Sequence, residues 1–320
     1  MGLLSNKHVA IVGGAGFIGS HLTDKVIDEA AAGVVVIDNL FLGETDNLKG
    51  AIKNGAVFYR DDGEFYSSLQ YIFDKHPTDI VFNCATKALN YSFVNPSSAF
   101  STNVSVILNL LELQRRQVFG TLCHISTSEV YGTAICEPMD ENHPINPLTT
   151  YAAGKAAADL ALKSYVNIFD INAAIVRPFN NYGPRQNRQG YMAGVIPATI
   201  NRVLHGLPLS IDGDGTQSRD FVYVADTVRA IVEVFGRLQK GEVVNVATGK
   251  SVQIREIVST IACIMGYRGE ITYQRQRTAD VLCHTGSNKK LSTLVSFPLT
   301  PLDEGLTRTV NWYVSLGRGQ

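Results

Sequence analysis

The stretch H-I-S-T-S-E-V-Y-G at residues 124–132 places three small hydroxyl side chains and a carboxylate directly after an apolar run. The hydroxyls belong to Ser126, Thr127 and Ser128, and the carboxylate belongs to Glu129. A hydroxyl at the end of a buried strand can hydrogen-bond a substrate oxygen, and a carboxylate beside it can act as a general base. A plain turn also explains the hydroxyls, and a structural Glu129 would cap a helix or pair with an arginine. A catalytic site is therefore predicted at residues 124–132 only if other reactive side chains lie close to this stretch.

A tyrosine and a lysine four residues apart, Tyr151 and Lys155, begin an alanine-rich segment. In a helix this spacing places both side chains on one face. The charge of Lys155 is expected to lower the pKa of the Tyr151 phenol, so that the phenolate can take a proton from a sugar or alcohol hydroxyl. The spacing is not specific by itself, because Tyr71 and Lys75 share it without an upstream cluster of hydroxyl residues.

The motif G-G-A-G-F-I-G follows an apolar run and precedes a helical pattern, which is the context of a dinucleotide-binding loop. Gly13 permits a tight turn, Gly16 lets the backbone approach a pyrophosphate, and Gly19 lets the helix pack close to the strand. The start of the helix adds free N–H donors and a partial positive charge. Asp38 ends the next apolar run, where a carboxylate binds the ribose hydroxyls of NAD and repels the 2′-phosphate of NADP. The sequence therefore predicts NAD as the cofactor.

Further residues beside these turns complete the predicted cofactor site. Asp61 and Asp62 follow the third apolar run, where they either reach the adenine or remain solvated loop acids. The predicted cofactor-binding residues are Gly13, Gly16, Phe17, Ile18, Gly19, Asp38, Asn39, Asp61, Asp62, Ala85, Tyr151 and Lys155.

Short apolar runs that alternate with helical stretches must position these residues. The predicted strands are residues 7–12, 34–37, 56–59, 80–83, 122–125 and 173–176, and the clearest helices are 104–117 and 151–169. Buried strands alternating with helices predict an α/β fold, a Rossmann-type doubly wound parallel sheet. After Pro178 the pattern is more broken, which predicts a smaller mixed α/β C-terminal lobe that binds the substrate. The predicted division is 1–178 for the NAD-binding domain, rejoined by a segment near 211–247, and 179–320 for the second lobe.

Composition excludes several classes of protein. The chain has 320 residues, 45% of them hydrophobic, with a formal net charge of −1, so nucleic acid is not an expected partner. The five cysteines form no C-x-x-C pair, so no metal site is predicted, and reduced thiols in a cytoplasmic protein are expected. No apolar run is long enough to span a bilayer, and no leader peptide is recognised.

Several motifs together resemble the extended short-chain dehydrogenase/reductases of the nucleotide-sugar epimerase and dehydratase family. These are G-G-A-G-F-I-G-S-H-L, V-I-D-N-L, S-T-S-E-V-Y-G, Y-A-A-G-K, R-P-F-N-N-Y-G-P-R, G-D-G-T-Q-S-R-D-F-V-Y-V-A-D and R-Q-R-T-A-D-V. They occur in the family's order between about residues 8 and 285. The resemblance implies an enzyme in which NAD removes hydride from C4 of a nucleotide-linked sugar and later returns it.

The resemblance also assigns roles by position. Thr127, Tyr151 and Lys155 would form the catalytic triad. Asn180 and Arg219 would contact the diphosphate of the sugar nucleotide, and guanidinium groups suit this task because their donors match phosphate oxygens. The remaining predicted substrate-binding residues are Lys87 and Tyr91 beside the sugar, and Arg277 and Asp280 beside the nucleotide. Family members are often homodimers, and the helices at 104–117 and 151–169 are the expected interface.

The possible roles of Glu129 distinguish the reactions that the resemblance allows. Once C4 is a ketone, the C5 proton is acidic, and a carboxylate near C5 can remove it and help eliminate water across C5 and C6. Several 4,6-dehydratases resemble this chain in having Glu at this position, although many pair it with Asp where Ser128 stands. The sequence therefore favours a 4,6-dehydratase, with a 4-epimerase close behind and a uronate decarboxylase third. A regulator that binds NAD without catalysis is the alternative from a different class.

Overall fold

The computed structural model describes residues 2–188, 190–275 and 281–317. The strands are β1 (His8–Val12), β2 (Gly33–Ile37), β3 (Val57–Tyr59), β4 (Thr78–Asn83), β5 (Phe119–Ile125), β6 (Asn172–Pro178), β7 (Asn180–Tyr182), β8 (Leu209–Asp212), β9 (Ser218–Arg219), β10 (Phe221–Tyr223), β11 (Val243–Val246), β12 (Val252–Gln253) and β13 (Ile271–Gln274). The α-helices are α1 (Phe17–Asp28), α2 (Lys49–Lys53), α3 (Tyr66–Lys75), α4 (Pro96–Arg115), α5 (Thr150–Phe169), α6 (Val195–Leu204), α7 (Val224–Phe235), α8 (Ile254–Ile264), α9 (Lys289–Leu294) and α10 (Leu302–Gly317).

Seven of these strands form one parallel sheet with the order β11-β6-β5-β4-β1-β2-β3. The chain winds outward in one direction from β1 to β3 and then crosses to β4 on the other side of β1. This reversal leaves a crevice at the carboxyl ends of β1 and β4, where ligands bind in open α/β sheets. The predicted Rossmann-type doubly wound sheet is confirmed.

The apolar runs form strands because side chains from both faces of the sheet are buried. Along β1, Val9 and Ile11 belong to one hydrophobic cluster, whereas Ala10 and Val12 belong to the cluster on the opposite face. The first cluster includes residues of α1 and α7, and the second includes residues of α3, α4 and α5. A strand covered by helices on both faces can be apolar at every position, which explains the continuous runs in the sequence.

The chain returns to the large sheet through α7 and β11. Strand β11 pairs with β6 in the large sheet, and α7 contacts α1, so the chain has returned to the first lobe by residue 224. Residues 211 and 212, by contrast, lie in β8, which pairs with β13 in a separate two-stranded sheet. The return therefore begins later than residue 211, because β8 and β10 are held by strands of the second lobe. The division of the chain into two independent units stays a prediction.

Helices α4 and α5, the predicted dimer interface, pack against each other. Both also carry exposed apolar side chains, among them Leu108, Leu160 and Ile168. A homodimer through these helices remains a prediction, and sedimentation equilibrium is the measurement that tests it. No helix in the described part of the chain has the length and hydropathy needed to cross a membrane.

Candidate active site

The glycine loop between β1 and α1 is shaped so that side chains would not fit. Gly13 has a φ of +80°, and a Cβ there would lie 2.5 Å from the backbone nitrogen of Ala85, which follows β4. A Cβ on Gly19 would lie 2.1 Å from the carbonyl oxygen of Gly13. The glycine loop, the start of α1 and the segment after β4 are therefore in backbone contact, and the first turn of α1 faces the crevice. This is the cradle that a pyrophosphate requires.

Asp38 lies at the end of β2 and is held by two backbone donors. Its Oδ2 accepts a hydrogen bond from the amide of Ala15 at 2.9 Å, and its Oδ1 accepts one from the amide of Leu40 at 2.8 Å. Burial raises the pKa of this carboxyl above its ordinary value, although these hydrogen bonds oppose the shift. Asn39 donates from its Nδ2 to Asp62 at 2.7 Å, which joins the ends of β2 and β3. Both carboxylates are thus placed beside the crevice for hydroxyl or amine donors of a ligand.

These residues line one continuous cleft, here called the cofactor cleft. It contains ten of the twelve predicted cofactor-binding residues, all except Tyr151 and Lys155. Those ten are Gly13, Gly16, Phe17, Ile18, Gly19, Asp38, Asn39, Asp61, Asp62 and Ala85. The close glycine backbone, the helix start and the acid after β2 all fit a dinucleotide with an unphosphorylated ribose. Among the described residues, no group of three or more His, Cys, Asp or Glu side chains is arranged to hold a metal ion.

Tyr151 lies in the first turn of α5, which begins after the N-cap residue Thr149. The Thr149 hydroxyl accepts a hydrogen bond from the Ala152 amide at 3.2 Å, and the amide of Tyr151 donates to the hydroxyl of Ser92 at 2.9 Å. The side-chain hydroxyls of Thr127 and Thr86 hydrogen-bond with the phenol. Thr127 follows β5 and Thr86 follows β4, so the ends of two neighbouring strands place hydroxyls against the phenol.

The predicted effect of Lys155 on the phenol is not met in the structure. Burial raises the pKa of Tyr151 to about 12, and the nearby charge of Glu129 raises it further, whereas the hydrogen bonds with Thr127 and Thr86 lower it. Desolvation of the phenolate therefore outweighs the favourable contacts of this side chain. A positively charged group in the cofactor cleft would act in the opposite direction and favour the phenolate.

Lys155 is only 2% exposed and follows Tyr151 by one helical turn. Its ammonium donates to the carbonyl oxygen of Ile125, the last residue of β5, at 2.9 Å. Burial lowers the pKa of Lys155 to about 8, and the charge of Asp159 opposes this shift. The predicted common face of Tyr151 and Lys155 is therefore present, and it is directed at the end of β5.

The strand-end stretch places its four polar residues in different surroundings. Thr127 is the N-cap of a 3₁₀ turn at Ser128–Tyr131, and its hydroxyl accepts a hydrogen bond from the Glu129 amide at 3.2 Å. Ser126 instead donates its hydroxyl to the buried carboxylate of Asp159 at 2.9 Å. Ser128 is buried, and its carbonyl oxygen lies 3.2 Å from Nε2 of His284. Glu129 alone of the four lines the second large cleft of the molecule.

This second cleft, here called the substrate cleft, lies between the sheet and the second lobe. Its volume is about 440 Å³, within the range of small-molecule sites. It is lined by Glu129 and by the predicted residues Asn180 and Arg219. The side-chain oxygens of Asn180, Asn181 and Gln186 are buried without a hydrogen-bond partner among the described atoms. Buried acceptors of this kind are costly unless a ligand or water satisfies them, which supports a polar ligand in this cleft.

The phenol of Tyr151 lies between the two clefts. Its neighbour Thr86 lines the cofactor cleft, and its neighbour Glu129 lines the substrate cleft. Ala88 and Gln186 line both clefts, so the two spaces are adjacent. Tyr151 itself lines neither cleft, and its hydroxyl is connected to both through its neighbours Thr86 and Glu129.

Two predicted substrate-binding residues lie elsewhere than expected. Lys87 lines the cofactor cleft and not the substrate cleft, because its ammonium lies 3.6 Å from the ring centroid of Phe41 in the loop after β2. Tyr91 lines neither of the two clefts and packs edge to face on the same Phe41 ring at 4.9 Å. Arg277 and Asp280 lie outside the described residues.

Some site residues were not recognised from the sequence. Thr86 contacts the phenol, and the signal that could have found it is its position just after β4, at the carboxyl end of the sheet. Gln186 follows β7 and lines both clefts, although the sequence indicated no role for it. Arg185 also lines the cofactor cleft and forms an ion pair with Asp24 of α1 at 2.7 Å. The loop after β7 therefore bridges the two lobes at the site.

Comparison with known proteins agrees with this geometry. Residues 9–247 match the model of the NAD-dependent epimerase/dehydratase family. A Methanocaldococcus jannaschii protein provisionally named UDP-glucose 4-epimerase is 36% identical over 307 residues, covering 95% of this chain and 97% of that protein. The chain therefore belongs to the NAD-dependent epimerase/dehydratase family.

Two solved structures extend the comparison to the whole fold. The UDP-glucose 4-epimerase of Thermotoga maritima is 31% identical with a TM-score of 0.91, covering 97% of this chain and 99% of that one. The dTDP-glucose 4,6-dehydratase of Streptomyces venezuelae, solved with NAD bound, is 28% identical with a TM-score of 0.91 and covers 98% of both chains. As a member of this family, the present chain uses NAD as its cofactor.

Proposed function

We propose that the chain is a 4-epimerase acting on a nucleotide-linked hexose, with UDP-hexose as the first substrate to test. Two observations support this choice. Proteins named as UDP-glucose 4-epimerases are among its most similar relatives, at 36% and 31% identity. The site also provides one hydroxyl pair for a sugar oxygen, where the clefts for a dinucleotide and for a second ligand meet.

In this proposal the side chains around Tyr151 handle the sugar O4. The hydroxyls of Thr127 and Tyr151 bind O4, and Tyr151 takes its proton as the C4 hydrogen departs. NAD held in the cofactor cleft would supply the hydride acceptor and donor for C4. Lys155 holds a positive charge behind the phenolate, and Asn180 and Arg219 hold the diphosphate. After the 4-keto sugar has presented its other face, Tyr151 returns the proton to O4.

The observation that carries the epimerase over the dehydratase is the burial of Ser128. Elimination of water across C5 and C6 needs a base for the C5 proton and a proton for the departing O6. In the structure the residue beside Glu129 is a buried serine that does not line the substrate cleft. Among the described cleft residues Asp212 is the other carboxylate, and it lies on β8 of the second lobe. Only Glu129 is therefore near the phenol to serve both needs.

The 4,6-dehydratase favoured by the sequence stays the second candidate because of Glu129 itself. This carboxylate lines the substrate cleft and is close enough to raise the pKa of the Tyr151 phenol. In this alternative Glu129 would act on C5, the carbon bonded to the C4 that Tyr151 handles. The same carboxylate would take the C5 proton and deliver it to O6.

Replacing Glu129 with glutamine separates these two reactions. For an epimerase we expect kcat to stay within about threefold of wild type, because the acid takes no part in the chemistry. For a dehydratase kcat should fall by about 10²- to 10⁴-fold, the usual contribution of a general base. The measurement is mass spectrometry and proton NMR of UDP-glucose, dTDP-glucose and UDP-glucuronate incubated in heavy water with each enzyme.

The products identify the reaction independently of the variant. An unchanged mass with a new configuration at C4 supports the epimerase. Loss of one water with deuterium at C5 or C6 would overturn it in favour of the dehydratase, and loss of carbon dioxide from the uronate would indicate a decarboxylase. Bound NAD with no turnover of any of the three substrates would indicate a regulator. The matched control is Glu137→Gln, because Glu137 lies outside both clefts.

Replacing Arg219 with methionine should weaken substrate binding. The guanidinium lines the substrate cleft, and a charged hydrogen bond to phosphate contributes about 1.5–3 kcal/mol. We therefore expect KM to rise roughly 10- to 100-fold with a much smaller change in kcat. Initial rates over a range of substrate concentrations test this. Arg229→Met is the control, since Arg229 pairs with Glu233 on the exposed surface of α7, and an unchanged KM in the Arg219 variant would contradict the assignment.

A further inference from the structure

A buried group of charged and polar side chains lies directly behind Lys155. Its centre is Asp159, which is 0% exposed and follows Lys155 by one turn of α5, on the same face. The Oδ2 atom of Asp159 accepts hydrogen bonds from the hydroxyl of Ser126 and from Nε of Arg177, both at 2.9 Å. A second guanidinium nitrogen of Arg177 also lies 2.9 Å from this oxygen. The carboxylate is therefore fixed by the residues that follow β5 and end β6.

Arg177 is held from its other side as well. It donates to the hydroxyl of Tyr131 at 2.9 Å, and that hydroxyl donates to the side-chain oxygen of Asn245 on β11 at 2.8 Å. A buried ion pair of this kind often contributes little net stability, because removing both charges from water is costly. Its position beside Lys155 indicates a different use.

The ion pair with Arg177 holds Asp159 near Lys155, but Asp159 does not form a direct ion pair with the Lys155 ammonium. Asp159 forms an ion pair with Arg177, and Nε2 of the uncharged His124 lies 3.8 Å from its other carboxylate oxygen. Lys155 itself hydrogen-bonds the neutral carbonyl of Ile125. Asp159 thus acts on the ammonium through space, which keeps it protonated, while the guanidinium of Arg177 compensates the carboxylate. The positive charge of Lys155 thus lies one helical turn from Tyr151 on the same face of α5.

We propose that Asp159, held in place by Arg177, is a positioning residue that sets the pH range in which Lys155 is charged and Tyr151 can act. The proposal builds on the proposed roles of Tyr151 and Lys155 in the reaction. It assigns no contact between Asp159 and the substrate.

The charges around Lys155 and Tyr151 determine the direction in which Asp159 shifts their pKa values. Lys155 is flanked by Asp159 on α5, Cys84 after β4, His124 on β5 and Arg177 on β6. Burial raises the pKa of Cys84 to about 12 and lowers the pKa of His124 well below its usual value, so both are neutral near pH 7. Asp159 raises the pKa of Lys155, and it also raises the pKa of Tyr151, which Glu129 raises too. Loss of the Asp159 charge must lower the pKa of both residues.

The test is the Asp159→Asn variant, which keeps the shape of the side chain and removes its charge. Activity should fall at alkaline pH as Lys155 loses its proton. We expect this alkaline limb of the profile of kcat/KM to move to lower pH, by about one unit for a buried charge at this range. In protein labelled with ¹³C-lysine, NMR titration should place the pKa of Lys155 below that of the wild type. Asp159→Glu should restore the alkaline limb.

Each outcome bears on the proposal. If the pKa of Lys155 and the pH profile are unchanged and only the melting temperature is lower, Asp159 has a structural role and the proposal is overturned. The NMR titration uses no substrate, so an error in the proposed reaction would not affect its result. Asp226→Asn is the control, because Asp226 is also a buried carboxylate but binds Thr300 away from both clefts. If Asp159→Asn does not fold, Asp159→Asn combined with Arg177→Met removes both charges, and a smaller shift to lower pH is expected because loss of the Arg177 charge opposes it.

Discussion

Replacing Tyr151 with phenylalanine is expected to lower kcat by roughly 10³-fold, the middle of the range for a lost general acid–base group. The variant removes one hydroxyl and leaves the ring in place, and the backbone bond from the Tyr151 amide to Ser92 does not depend on that hydroxyl. Thr127 and Thr86 each lose one hydrogen-bond partner, which should change stability little compared with the loss of activity. NAD should remain bound, because Tyr151 does not line the cofactor cleft. Turnover of UDP-glucose and the NAD content of the purified protein are the two measurements.

The chain provides its own control for this experiment. Tyr71 and Lys75 have the same spacing on α3, but Tyr71 is 53% exposed and the ammonium of Lys75 lies 4.4 Å from its ring centroid at the surface. Tyr71→Phe should therefore leave kcat and KM unchanged. A Tyr151→Phe enzyme that retained more than about a tenth of wild-type kcat would remove Tyr151 from the role of base.

Replacing Gly13 with alanine should abolish binding of NAD. The residue has a φ of +80°, which costs an L-residue about 1–2 kcal/mol, and the new Cβ would lie 2.5 Å from the nitrogen of Ala85. That neighbour is backbone, so the strain is relieved only by moving the glycine loop or the end of β4, and overpacking of this kind costs about 1–3 kcal/mol. Both segments line the cofactor cleft. We expect at least a 100-fold loss of NAD affinity, measured by isothermal titration calorimetry.

Gly50→Ala is the matched control for this substitution. Gly50 lies in α2, and nothing is within 4 Å of the position that its Cβ would occupy. Alanine is favoured over glycine in a helix by about 1 kcal/mol, so this variant should bind NAD normally and melt at the same or a higher temperature. If Gly13→Ala also bound NAD with wild-type affinity, the glycine loop would not be the pyrophosphate cradle.

Much of the fold was predictable because its signals are local. The six predicted strands of the first lobe are all present in the large sheet, and the runs in its interior are apolar because they are buried on both faces, whereas β3 lies at the edge and is partly exposed. The glycine motif between a strand and a helix predicted the cofactor cleft for a similar reason, because the turn, the helix start and Asp38 are close in sequence. The segment near 211–247, predicted to rejoin the first domain, contains β11, which pairs with β6, and β8, which pairs with β13 instead.

The sequence by itself determined which chemical groups are available and which family the chain resembles. Thr127, Glu129, Tyr151 and Lys155 were all predicted as catalytic residues from their types and spacing. What lies around them was decided by the tertiary structure. The adjacent ends of β4 and β5 place Thr86 and Thr127 on the phenol. The ends of β5 and β6 place Ser126 and Arg177 on Asp159, although both lie far from it in the chain.

The pKa of Tyr151 shows the physical reason most directly. From the sequence, a lysine four residues away was expected to lower it, whereas in the folded chain burial raises it to about 12. The sign of such a shift depends on the balance between desolvation and nearby charges, and both depend on packing that no short stretch of sequence contains. The same holds for Ser128 and Glu129, adjacent in sequence, of which packing buries one and leaves the other lining the substrate cleft.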